Sequence, residues 1–336
     1  MNNCATRYKA NINLENKANP LVIAINYILE NSVVLDVGCA CGDLGVALKE
    51  HKNATMYGLE YNQGSVDIAL NTGSYEDVHQ FNLDEITEDS FSNYHNKFDY
   101  IVCGDVLEHL RNPMYSLNIL KSYLKDDGFI IASIPNVAHM SIKSNLLVND
   151  FTYTPTGLLD ETHIHLFTYK SIAQELANIN LQIDEYQFTL RKKEGWQPNN
   201  PYNELPLEVK EFIFNDWHSF VCQYVMKISK STKNVDDLIK HNLNKIIIDE
   251  KNAPEYIKNY RNECLKECRA ERKLKDEQLI KLKKELNDAQ TKLATLNLIN
   301  VWKLLKYPRW MVRMICCFIP KSKNRKRFRK NYTLAK

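Results

Sequence analysis

A chain of 336 residues, 44% hydrophobic and 25% charged, has room for one large domain with an appendage and apolar material for a sizeable core. Its net charge of +3 is unevenly placed: residues 298–336 carry twelve Lys or Arg and no acid, which leaves the first 297 at −9. An acidic body argues against nucleic acid gripping the fold and leaves the basic tail as the place for an anionic surface.

No basic-then-apolar leader opens the chain and no stretch reaches the roughly 18 apolar residues of a spanning helix, so a cytoplasmic protein is expected. Short apolar, β-branched runs at Ser32–Val37, Ala54–Glu60, Asp77–Phe81, Phe98–Gly104 and Gly128–Pro135 predict strands. Between them Asp43–His51, Gly64–Asn71 and Pro113–Leu124 carry apolar residues at helical spacing. This alternation predicts an α/β fold, a doubly wound, mostly parallel sheet of seven strands. Leu181–Leu190 and Ser219–Ile228 would close it as a β-hairpin around the polar loop Lys192–Pro206. Nine cysteines without one C-x-x-C pair give no zinc spacing and fit free thiols in a reducing compartment.

After Lys230 the pattern turns polar and helical. Leu279, Leu282, Leu286, Ala289, Leu293 and Leu296 alternate spacings of three and four, a seam of about three heptads that predicts a short coiled coil or a helix folded back on the body. Trp302, Leu305, Trp310, Met314 and Phe318 interleave with Lys303, Lys306, Arg309 and Arg313, and a basic cluster follows at Lys321–Lys330. Such a segment suits the inner surface of a membrane. The expected divisions are therefore a domain at 1–230, a helical linker at 231–258, a coiled coil at 259–297 and a basic amphipathic segment at 298–336.

The chemistry concentrates at strand ends. Val33-Val34-Leu35-Asp36-Val37-Gly38-Cys39-Ala40-Cys41-Gly42 sets a glycine-rich turn between a strand and a helix, where backbone amides approach a ligand closely. The spacing of Gly38, Gly42 and Gly45 is not the G-x-G-x-x-G of dinucleotide enzymes, which disfavours an NAD-dependent oxidoreductase. It resembles the D-x-G-x-G-x-G motif of class I S-adenosylmethionine (SAM)-dependent methyltransferases, with Ala40 at the middle glycine. That resemblance implies a Rossmann-like methyltransferase fold and a cofactor site formed by Asp36, Gly38, Cys39, Ala40 and Gly42. It also implies Glu60 with Tyr61 for the ribose, Asn82 with Leu83 for the adenine, and Asp105 on the loop after the fourth strand. Ile134-Pro135-Asn136-Val137-Ala138-His139, Thr156-Gly157-Leu158-Leu159-Asp160 and Thr162-His163 look like a bacterial subgroup associated with surface-polysaccharide genes. A sugar or glycan-linked acceptor is implied, with polysaccharide-assembly enzymes or a second copy as partners of the coiled coil.

An amino-acceptor Asn/Asp-Pro-Pro loop is absent, since residues 104–107 read Gly-Asp-Val-Leu, which favours an oxygen acceptor. His109, His163 and His165 are candidate general bases, because a neutral imidazole accepts a proton near neutral pH. Asp105-x-x-Glu108-His109 with His163 is also similar to the divalent-metal site of small-RNA 2′-O-methyltransferases and some quinone-ring O-methyltransferases, implying Mg²⁺ or Mn²⁺. The competing readings are a quinone or other small hydroxyl acceptor, and a non-catalytic SAM-fold adaptor that recruits partners to the membrane.

Overall fold

The structure, a computed structural model, describes residues 12–190, 201–248 and 250–304, with residue 203 and the last eight as backbone only. The chain divides into two compact units, Met1–Lys266 and Glu267–Lys336.

In the first unit, strands β1 (Val33–Val37), β2 (Thr55–Glu60), β3 (Tyr75–Gln80), β4 (Phe98–Gly104), β5 (Leu124–Pro135), β6 (Leu181–Leu190) and β7 (Val221–Lys230) form one sheet, ordered β3-β2-β1-β4-β5-β7-β6. The first five are parallel, while β7 runs antiparallel to both of its neighbours. β1 and β4 are buried along nearly their whole length because helices cover both faces, and so they read in the sequence as unbroken apolar runs. The predicted antiparallel pair closes the sheet, with a different connection and order. β6 and β7 do pair, but β7 threads between β5 and β6, and helix and turn lie between the two strands.

The helices of this unit are α1 (Pro20–Tyr27), α2 (Asp43–Lys52), α3 (Gln63–Asn71), α4 (Pro113–Leu120), α5 (Met140–Leu147), α6 (Tyr169–Asn178), α7 (Leu207–Asn215) and α8 (Val235–Ile246). Their starts are chemically marked: Asn19, Asn62, Asn112 and Thr168 each accept a first-turn amide, and Pro20 and Pro113 sit where no amide partner is needed. The expected domain end at 230 falls short. α8 buries Leu238 and Ile246, and the fully buried Asn242 bonds the amide of Ile183 and the carbonyls of Ala173 and Leu181. The expected linker is therefore a layer of the domain.

Helix α9 (Glu255–Leu304) continues into the second unit. Leu279, Leu282, Leu286, Leu293 and Leu296 stand exposed along it. The segment beyond residue 304, including the expected basic cluster, lies outside the described residues. Among the described residues, no helix is long and apolar enough to cross a membrane.

Candidate active site

A cavity of about 970 Å³ opens at the carboxyl ends of β1, β2 and β4 and takes in both halves of the predicted chemistry. On one side lies the turn between β1 and α2. Gly38 (φ +70°) and Gly42 (φ +84°) are left-handed, and so is Ala40 (φ +46°), the residue at the motif's middle glycine. A side chain on Gly38 would meet Val106 at 2.8 Å, so this glycine lets the β4 loop close over the turn. The Glu60 carboxylate accepts the amides of Ala40 (3.0 Å) and Asn62 (2.8 Å), tying the end of β2 to the turn. Beneath it, the Tyr75 hydroxyl donates to Asp36 (2.6 Å) and accepts the amide of Gly45 (3.1 Å). Burial pushes the Asp36 carboxyl up to about 7, against the lowering effect of the Tyr75 hydrogen bond.

The opposite wall comes from the β4 loop and the segment between β5 and α6. The carbonyl of Glu108 accepts the amides of Ile164 (2.9 Å) and His165 (3.0 Å), which draws the segment between β5 and α6 onto the β4 loop. His163 then faces Glu108, with Nε2 3.9 Å from Oε1, and the rings of His109 and His163 meet edge-on at 4.8 Å. Glu108 is 1% exposed, and neither of its carboxylate oxygens has a hydrogen-bond partner among the described residues. Burial, with Asp105 close by, pushes this carboxyl well above the usual range; burial and the neighbouring His163 hold His109 below its ordinary value, as a neutral base.

The methyltransferase domain family matches this chain over residues 11–186, just over half its length. The chain belongs to that family. The ubiquinone biosynthesis O-methyltransferase of Actinobacillus pleuropneumoniae is 29% identical over 119 residues, 34% of this chain and 49% of that protein. The mitochondrial ubiquinone biosynthesis O-methyltransferase of Dictyostelium discoideum is 27% identical over 144 residues, 40% of this chain and 45% of its own. The chain thus spans about half the length of the curated relatives it matches. Among solved structures, a SAM-dependent methyltransferase from Archaeoglobus fulgidus aligns at 19% identity and a TM-score of 0.47, over 65% of this chain and 95% of that one.

The methyltransferase domain places its predicted residues unevenly. Asp36, Gly38, Cys39, Ala40, Glu60, Tyr61, Asn82, Leu83 and Asp105 line the cavity, whereas Gly42 sits behind it, where a side chain would strike Ala69 and Tyr75. Asn82 turns its amide oxygen to the backbone of Asp84 and its nitrogen to Glu85, capping a short turn at the rim. Among the described residues, Glu108, His109 and His163 form a group whose ligand atoms all lie within 4.8 Å of one another. Asp105, expected as a fourth member, is instead held by Ser133 (2.6 Å) and Gln223 (2.9 and 3.0 Å). His165 is not brought to the cavity; its Nε2 donates to the carbonyl of Arg111 at 3.1 Å and its ring stacks on Phe167. Sequence reasoning gave no role to Tyr75, Ser133 or Gln223, because the partners that define them lie 28 to 118 residues away.

Proposed function

We propose that this chain is a SAM-dependent O-methyltransferase whose acceptor hydroxyl is activated by Glu108, His109 and His163. The observation that carries the proposal is one cavity holding both the glycine-rich turn with Glu60 and the histidine-carboxylate cluster. Its lining has eight carboxyl side chains, of which burial keeps Asp36 and Glu108 toward the neutral form, against one arginine, Arg111, a balance that still suits a sulfonium cofactor and opposes a dinucleotide's pyrophosphate. When bound, SAM would supply an activated methyl group for transfer to the acceptor oxygen, with S-adenosylhomocysteine as the leaving product. An imidazole Nε2 of this cluster would take the hydroxyl proton.

Glu108, His109 and His163 also fit a divalent cation, since an unpartnered buried carboxylate beside two imidazoles is an orphaned donor set. A bound cation would lower the acceptor's pKa. Two nitrogen donors in three make a softer set than Mg²⁺ prefers and favour a zinc-like ion over it. Turnover that survives a chelator would leave the histidines acting as bases alone.

The motifs after β5 support a sugar or glycan-linked acceptor in surface-polysaccharide synthesis. A second reading, a ring hydroxyl of a quinone precursor, is favoured by the names of the matched relatives. Incubating a native cell-envelope extract and, separately, a catechol with methyl-labelled SAM separates the two. Label in neither, while SAM still binds, defeats the proposal in favour of a SAM-binding adaptor. We extend the proposal to the C-terminal unit: the exposed leucine row pairs with a second copy or an assembly enzyme, and the basic tail rests on anionic lipid. Truncation after Asn297 should abolish sedimentation with anionic liposomes; if sedimentation persists, the tail is not the contact.

A further inference from the structure

Two residues beside His109 decide which of its nitrogens carries the proton. Asp160, 4% exposed, accepts through one oxygen both the amide of Thr162 (2.9 Å) and its hydroxyl (2.7 Å). A carboxylate in this position draws the single hydroxyl proton of Thr162 toward itself, so the lone pairs of that oxygen face Nδ1 of His109 at 3.0 Å. The backbone carbonyl of Thr162 lies at 3.2 Å from the same nitrogen and can only accept. Two acceptors converge on Nδ1, so Nδ1 carries the proton. A neutral imidazole has one N–H, which leaves the lone pair on Nε2. His163 follows the same rule with a simpler device, its Nδ1 directed at the carbonyl of Leu158 (3.2 Å).

The segment that brings these groups together is itself closely tied. Thr154 donates its amide to the carbonyl of Leu159, Glu161 donates to the carbonyl of Thr154, and His163 donates to the carbonyl of Asp160. The loop therefore presents Asp160, Thr162 and His163 as one piece against the β4 loop.

We infer that Asp160 and Thr162 are positioning residues that lock His109 in its Nδ1–H tautomer, so that Nε2 is kept for the acceptor's proton or for a metal ion. The inference rests on the proposal that this cluster activates the acceptor. It adds a shell of residues whose loss would damage the cluster without touching the cofactor. Partners that fix the tautomer of a ligating histidine are typically worth about 10–100-fold in metal affinity or activity.

The test uses the full chain labelled with ¹⁵N at histidine, with the His109 signals assigned by difference against His109→Gln. Long-range ¹H–¹⁵N correlation spectra should show His109 protonated at Nδ1 in the wild type. Thr162→Val should shift it toward a mixture with the Nε2–H form, and Thr162→Ser should restore the original pattern. Calorimetric titration with Zn²⁺ alone should show affinity about 10–100-fold weaker in Thr162→Val and recovered in Thr162→Ser. SAM affinity should stay within about twofold throughout, which shows that the variants fold. Asp160→Asn, which keeps an accepting oxygen, should behave like Thr162→Ser. An Nε2–H wild type, or a tautomer and Zn²⁺ affinity unmoved by Thr162→Val, overturns the inference. Because the tautomer is read without methyl transfer, the proposed reaction can fail while this assignment stands.

Discussion

Gly45 is the sharpest test of how the cofactor turn is built. A Cβ placed there would lie 2.3 Å from two ring carbons of Tyr75 and 2.5 Å from its hydroxyl. Gly45→Ala therefore has to expel the ring that links the amide of Gly45 to the carboxyl of Asp36. Overpacking costs about 1–3 kcal/mol. Losing the buried hydrogen bond between Tyr75 and Asp36 adds about 1–3 kcal/mol. Alanine returns up to about 1 kcal/mol of helix propensity in α2. The net is a destabilisation of about 2–4 kcal/mol, a fall in melting temperature of about 5–15 °C for a domain of this size. Urea denaturation of the single variants and of Gly45→Ala/Tyr75→Ala gives the coupling. In the Tyr75→Ala background, Gly45→Ala should cost nothing or stabilise slightly. A loss below about 0.5 kcal/mol in Gly45→Ala alone, within the ordinary scatter of surface changes, would refute the assigned role.

Three further outcomes follow from the same geometry. The folded Asp36 carboxyl titrates near 7 against an ordinary value of 3.8, so its contribution to stability is full below about pH 4 and is lost as pH rises through 7. Asp36→Asn keeps an acceptor for Tyr75, and its stability relative to the wild type should improve between pH 4 and pH 8 in urea melts; an unchanged difference would contradict the burial argument. Glu60→Ala frees the amides of Ala40 and Asn62 and should weaken SAM binding about 10–100-fold by calorimetry, the loss expected when a hydrogen-bonding carboxylate is removed. Ala40→Gly relieves a left-handed alanine and should raise stability by about 0.5–1 kcal/mol after the extra entropy of the unfolded glycine, measured by thermal melting at fixed pH.

The parallel half of the sheet was legible because buried parallel strands are continuous apolar runs, and Phe98–Gly104 was bounded to the residue. The glycine-rich turn between β1 and α2 was legible because its residues are neighbours in sequence. What escaped depends on contacts made across the fold. Sequence assigns Gly45 to the glycine pattern of the turn, whereas the structure gives its missing side chain to Tyr75, thirty residues away. Asp105 and Glu108 lie in one loop and look like a matched pair of acids. Ser133 and Gln223 occupy the first, while the carboxylate of the second has no hydrogen-bond partner among the described residues, and no local pattern distinguishes them. The insertion of β7 between β5 and β6 is likewise a pairing across the fold that chain order does not specify.

The carbonyl oxygen of Glu108 fastens the segment between β5 and α6 to the β4 loop through two successive amides, beside the side-chain contacts of Thr162 with His109 and of His165 with the carbonyl of Arg111. The two amide bonds are backbone alone, so this part of the join holds whichever side chains stand at 164 and 165. A lineage could exchange the side chains that this segment turns to the cavity, preserving the amide join and leaving the glycine-rich turn undisturbed.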